Sequence, residues 1–151
     1  MLIDLDKIDS HLGKPIGVSE WFEITQEDVN TFADLTRDHQ FIHVDPVKAA
    51  ETPFGGTIAH GFFSLSMLSH FAENGCGVTV ANAKMGVNYG CDKLRFLNPV
   101  RIGSKIRGSS VLESVTEKKP GQYLIKSIMT VEIQGSDTPA LIAEWLTMIV
   151  V

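Results

Sequence analysis

The sequence predicts an α+β fold in which a long antiparallel sheet wraps one buried helix. Two observations carry this. From Gly61 to Asn74 the large apolar side chains Phe62, Phe63, Leu65, Met67, Leu68 and Phe71 are spread around a helical cylinder, the pattern of a helix buried on most sides. From Ala83 onward the period changes to two, and three successive long strands are joined by tight turns, which makes an antiparallel meander. Such strands reach about 35–40 Å at ~3.3 Å per residue. The helix spans only about 20 Å at ~1.5 Å per residue, so the sheet is long enough to curl round it as a second layer.

Composition allows this core. The chain has 151 residues, 44% of them apolar, the size of one domain with a full hydrophobic interior, and we read 1–151 as a single domain. Charged residues, at 21%, are well mixed and the net charge is −5. That argues against disorder and gives no drive toward nucleic acid or anionic membrane. Cys76 and Cys91 are too few for a disulfide framework and are expected as free buried thiols. The first residues have neither a basic nor a long apolar region, and no apolar run approaches a membrane span. A cytoplasmic location is expected.

Taken in order, residues 16 to 24 read as a first strand. Thr25, with Asp28 three residues on, caps a helix in which Val29, Phe32 and Ala33 fall at helical spacing. Asp34 to Asp45 is polar. Asp45-Pro46 suits an N-cap and first helical position, so a short helix is expected over Pro46 to Glu51 before Thr52-Pro53 and the glycines stop it. Asn74-Gly75 ends the long helix. A strand follows in which Met85, Val87, Tyr89 and Cys91 alternate before Leu94 and Phe96, and Asn98-Pro99 breaks it. Further strands run over about 104 to 117, Tyr123 to Ile133 and Ala140 to Val151. In the second of these, Tyr123, Ile125, Ser127, Met129, Val131 and Ile133 share one face.

The chemistry concentrates in residues 36 to 74. Asp38 and His43 lie five positions apart. The Gly-rich turn Pro53-Phe54-Gly55-Gly56 follows, and then a helix start at His60-Gly61. Two acid–base side chains, a loop and a helix N-terminus suit a site that moves protons beside a developing oxyanion, and the chemistry expected is that of a lyase. A backbone N–H at Gly61 would be free at a helix start, and glycine lets a substrate approach the backbone closely.

This stretch resembles the MaoC-like dehydratases, and within them the (R)-specific enoyl-CoA hydratases, also called hydratase 2, on a hot-dog fold. The likeness runs over nearly the whole chain from about Ile16. The family motif is an aromatic residue, then Gly-Asp-x-Asn-Pro-aliphatic-His. Here it stands as Phe32 followed by Thr36-Arg37-Asp38-His39-Gln40-Phe41-Ile42-His43. Ile58-Ala59-His60-Gly61 looks like the family's lead into the central helix, and Lys93 to Val100 like its downstream strand. Arg37 stands where the family has Gly, and His39-Gln40-Phe41 replaces the x-Asn-Pro step. The DHQFIHVDP form also resembles the nodulation-protein-N-like branch.

The resemblance implies a hydro-lyase adding water reversibly to trans-2-enoyl-CoA to give (R)-3-hydroxyacyl-CoA in fatty-acid metabolism. It implies Asp38 and His43 as the catalytic pair and Gly61 as the oxyanion contact. Phe96 becomes a substrate contact, Ser69 a hydrogen-bond partner of the catalytic Asp, and Gln40 a supporting amide. The partner implied is a small-molecule acyl-CoA, with no further cofactor and no metal. A homodimer joined into one continuous sheet is expected, since an exposed edge strand is usually covered.

Other readings stand beside this one. His39-Gln40-Phe41-Ile42-His43 imitates the HExxH zinc motif, but Gln40 cannot act as the general base and the segment is not a convincing helix. His60 and His70 read as polar residues on or near the buried helix, with His60 also suited to tying down the loop before it. Lys93, Arg95, Arg101, Lys105 and Arg107 form a basic cluster, either solvent-facing strand charges or contacts for coenzyme A phosphates. A hot-dog thioesterase usually carries a carboxylate on the central helix, where this chain has none before Glu73. A non-catalytic acyl-thioester binder is the third function class.

Overall fold

The computed structural model describes residues 1–151. Four long strands build the sheet: β5 (Met85–Phe96), β6 (Lys105–Lys119), β7 (Gln122–Ile133) and β8 (Leu141–Val150). All neighbours are antiparallel, in the order β2-β6-β7-β8-β5, where β2 is Pro15–Val18. On β7 the alternation holds as expected: Ile125, Ser127, Met129, Val131 and Ile133 face inward and are buried. The expected first strand over 16–24 is broken into β2 and β3 (Phe22–Glu23), both paired to β6. Ser19 makes the break. Its hydroxyl, in place of a backbone carbonyl, accepts the Gly108 N–H at 2.9 Å, which spoils the regular ladder.

Helix α1 (Gln26–Thr36) starts on a complete capping box, with Thr25 and Asp28 each accepting the other's backbone N–H. It ends at Arg37, whose φ of 65° is left-handed. A single turn, α2 (Phe41–Val44), and α3 (Pro46–Ala50), capped by Asp45, follow. The one-turn helix at 41–44 falls inside the polar stretch that showed no helical pattern.

The long helix is interrupted. α4 (Gly61–Ser66) and α5 (Leu68–Phe71) are separated at Met67, and a wider turn occupies Ala72–Cys76. The Ser66 hydroxyl donates to the Phe62 carbonyl at 2.7 Å, a local bond that competes with the backbone ladder and bends helices. Asn74 and Gly75 then leave helical space, as their sequence suggests. The burial of this helix is narrower than expected. Phe63, Leu68 and Phe71 are buried against the sheet, whereas Phe62 is 64% exposed. Gly108 of β6 lets the helix approach: a Cβ there would lie 2.6 Å from Phe71 Cβ and 3.0 Å from Cys76 Sγ.

β5 pairs only with β8. Its first half is exposed on both faces, with Tyr89 at 64% and Met85 at 53%, so Met85, Val87 and Tyr89 of the expected inward face lie open, while Leu94 farther along packs against the core. Cys91 lies exposed on the same strand, which corrects its expected burial. Cys76 is buried, and loss of water pushes its thiol up to about 11. The N-terminal residues add a feature the sequence did not signal. β1 (Leu2–Ile3) runs parallel to β4 (Thr79–Val80), and a 3-10 turn over Leu5–His11 follows. Ile3 and Ile8 thereby close a second apolar cluster with Leu112, Ile125 and Ile149. No helix is long and apolar enough to cross a membrane.

Candidate active site

The short α1–α2 connection carries Asp38 out of the first helix, and α2 turns His43 inward. Asp38 is half exposed, while His43 is 6% exposed. The loop after α3 then runs antiparallel to residues 100–102 and brings His60 back over both. Asp38, His43 and His60 each place a ligating atom within 4.8 Å of the others. Asp38 and His43, paired on sequence spacing, are therefore together in space.

Hydrogen bonds settle the orientation of His43. Its Nδ1 lies 2.8 Å from the Ile58 carbonyl oxygen. A carbonyl can only accept, so Nδ1 carries the hydrogen and Nε2 is the free basic nitrogen. Burial holds the His43 pKa below its ordinary value. The Ile58 bond acts to raise it, the neighbouring His60 to lower it and Asp38 to raise it. The backbone of His43 is clamped as well. Gln26 Nε2 donates to the His43 carbonyl at 2.7 Å, and Thr57 Oγ1 donates to Gln26 Oε1 at 2.6 Å. Gln26 and Thr57 went unnoticed in the sequence, where they are ordinary polar residues of a helix start and a loop.

Beside this group opens a cleft of about 460 Å³, lined by His43, Gly61, Phe62, Ser64 and Phe96 among mostly apolar neighbours. Gly61 is the first residue of α4, where the N–H has no acceptor within the helix. A Cβ on Gly61 would lie 2.9 Å from two atoms of the Phe96 ring, so Phe96 packs across the bare Cα. Phe96 in turn meets Phe62 edge-on at 5.6 Å. The structure thus brings His43, Gly61 and Phe96 to one cleft, with Asp38 at its side.

Of the two supporting residues, Ser69 is not placed as expected. Ser69 lies eight residues beyond Gly61, about 12 Å farther along at ~1.5 Å per residue. Its hydroxyl accepts from Asn88 Nδ2 at 3.0 Å, and within the chain it does not reach Asp38. Gln40 precedes α2 without a side-chain cap bond, and its backbone N–H lies 3.4 Å from Asp38 Oδ1. Arg37 keeps the left-handed backbone that explains why a glycine suits this motif position.

The zinc-like pattern does not assemble. His39 bonds Asp34 at 2.7 Å on the surface, away from His43. Among Asp38, His43 and His60, the two imidazoles are stacked at 3.8 Å with an interplanar angle of 26°. A nitrogen lone pair lies in its ring plane, so two nearly parallel, offset planes converge poorly on one tetrahedral ion. In the basic cluster, Lys93 pairs with Glu144 at 2.6 Å, and Arg107 pairs with Glu132 at 2.8 Å while lying over Trp21. Both are strand charges committed to neighbours.

The sequence pattern of the family described as MaoC like domain matches residues 7–134. Nodulation protein N of Rhizobium leguminosarum bv. viciae is 45% identical over 149 residues, covering 97% of this chain and 91% of the relative. The 3-hydroxyacyl-thioester dehydratase Z of Mycobacterium tuberculosis is 47% identical over 132 residues, covering 87% of this chain and 86% of the relative. In fold, the chain matches the (R)-hydratase of A. caviae involved in PHA biosynthesis with a TM-score of 0.71 at 23% identity, covering 90% and 94% of the two chains.

Proposed function

The chain belongs to the MaoC-like domain family, and on that premise we propose that it is a hydro-lyase adding water reversibly to a trans-2-enoyl-CoA to give the (R)-3-hydroxyacyl-CoA. The carrying observation is the meeting of Asp38 with His43, whose Nε2 is left free, beside a mostly apolar cleft headed by Gly61. In this reading a water held between Asp38 and His43 gives up a proton to the pair as its oxygen attacks C3. The pair returns a proton to C2, and the product keeps the water's oxygen on C3. Negative charge developing on the thioester oxygen is met by the Gly61 N–H. Phe96 walls the acyl group. The 3-hydroxyacyl-thioester dehydratase among its relatives supports this chemistry, and no cofactor beyond the coenzyme A of the substrate is required.

We assign the working unit as a homodimer joined along β5. Twelve residues of strand with one free edge and exposed Met85, Val87 and Tyr89 are a surface that soluble proteins cover. Light scattering should give twice 16.6 kDa, and a monomer at micromolar concentration would contradict the assignment. A cytoplasmic location is part of the same proposal.

The test of the chemistry is loss of enoyl-thioester absorbance, starting from crotonyl-CoA. Asp38→Asn and His43→Gln should each lower kcat by about 10²-fold or more with the fold intact. Activity within a few-fold of wild type in both would remove the pair. A second reading, a non-catalytic acyl-thioester binder, draws support from Gln40, whose side chain makes no hydrogen bond near Asp38, and from the nodulation protein N likeness. Binding without turnover would favour it. Hydrolysis instead of hydration would favour a thioesterase.

A further inference from the structure

We propose that His60 is a positioning residue for proton transfer, locking the Asp38 loop and the His43 ring into one rigid unit. The proposal rests on the hydro-lyase reading above. His60 is 3% exposed and joins three parts of the site. Its Nε2 donates to the Asp38 carbonyl at 2.9 Å, its ring stacks on His43 at 3.8 Å, and it is the N-cap residue immediately before Gly61. Phe32 supports its other side at 5.1 Å.

Asp38 needs such a hold. It follows a left-handed Arg37 and precedes α2, so neither helix includes it. The bond from His60 is shorter than the 3.4 Å approach of the Gln40 N–H to its carboxylate. His60 is not in the cleft wall, and its Nδ1 is buried without a partner. Its place is behind Asp38 and His43, where it acts through them. An apolar side chain could fill the same space without orphaning a nitrogen, which is costly. What the imidazole adds is a donor at the right reach and a flat face for His43. A shift of about 1 Å in a reacting group is enough to cost on the order of 10²-fold in rate.

Two substitutions separate this role from simple packing. His60→Gln keeps a donor long enough for the Asp38 carbonyl. His60→Asn caps a helix well but is too short to reach. Expected with crotonyl-CoA is a kcat within about 5-fold of wild type for H60Q and about 10- to 100-fold lower for H60N, with KM little changed, Tm lowered in both by lost packing, and the H60N loss larger than its folded fraction accounts for. H60N within about 2-fold of wild type, or equal losses in both variants that follow Tm, would overturn the proposal. NMR gives a readout free of activity. In wild type the His60 ring should show a slowly exchanging hydrogen on Nε2, and in H60N, not H60Q, the backbone of 38–40 should gain mobility. A wild type that hydrates no enoyl thioester would remove the hydro-lyase reading alone. An unchanged 38–40 backbone in H60N, or a fast-exchanging His60 ring hydrogen should both variants fail to fold, would remove the positioning role.

Discussion

Replacing Gly61 by alanine tests the oxyanion assignment. The added Cβ would stand 2.9 Å from Cδ1 and Cε1 of Phe96 and 3.1 Å from Cγ. Carbon atoms at rest sit about 3.5–4.0 Å apart, so the ring must give way. Phe96 is 46% exposed and on an edge strand, so it can swing outward. That motion disturbs its edge-on contact with Phe62, and such a pair is worth about 0.5–1.5 kcal/mol. Alanine returns up to about 1 kcal/mol of helix propensity, less at the first position of a helix. The two nearly cancel, and Tm should move by no more than roughly 2–4 °C, the shift for about 1 kcal/mol in a chain of this size. The helix-propensity gain of alanine is thus offset by the phenylalanine. Function should respond far more strongly, with kcat/KM falling about 10²-fold as the thioester is held off the N–H. Because Phe96 also moves, Phe96→Ala and the double variant complete the experiment. Phe96→Ala alone should raise KM, and the double variant should stay as impaired as Gly61→Ala. Full rescue of kcat by Phe96→Ala in the double variant, or full activity in a folded Gly61→Ala, would refute the oxyanion role.

Acidification bears on His43. Folded His43 binds its proton less readily than the unfolded chain's histidine, so the unfolded state takes up protons first. Its contribution to stability is complete above the ordinary value of 6.5 and is lost as pH falls from there through the lowered folded value; denaturant midpoints across this window should lose that slope in His43→Gln. Gly108→Ala should cost about 1–3 kcal/mol, the range for overpacking, because Phe71 Cβ would stand 2.6 Å away, and urea midpoints measure it. Arg37→Gly should raise stability by up to about 1 kcal/mol as left-handed strain is relieved against added freedom in the unfolded chain, with kcat/KM unaltered; a loss of stability would show that Arg37 makes a compensating contact.

Local chemistry made much of this molecule readable in advance. The capping box at Thr25, the Asp45-Pro46 helix start, the stop at Asn74-Gly75 and the alternating face of β7 all depend on neighbours in sequence, and each appears as read. The pairing of Asp38 with His43 was legible for the same reason, since five residues and one helical turn bring them together. What depended on distant partners was not. Ser19 interrupts the first strand through a bond to Gly108, 89 residues away. Ser69 turns to Asn88 because helix rise carries it away from Asp38. The exposure of β5 follows from sheet order, which alternation along one strand cannot reveal. Gln26 and Thr57 became site residues only when two loops and a helix start closed around His43, and His60, suited by sequence to tie down its loop, gained its partner Asp38 there. Their side chains are ordinary for their positions, and the hydrogen bonds that distinguish them span 17 to 31 residues. Sequence thus determined which groups could do the chemistry, because reactivity belongs to the side chain. Tertiary structure alone decided what holds them, because that is a matter of which remote atoms come within bonding distance.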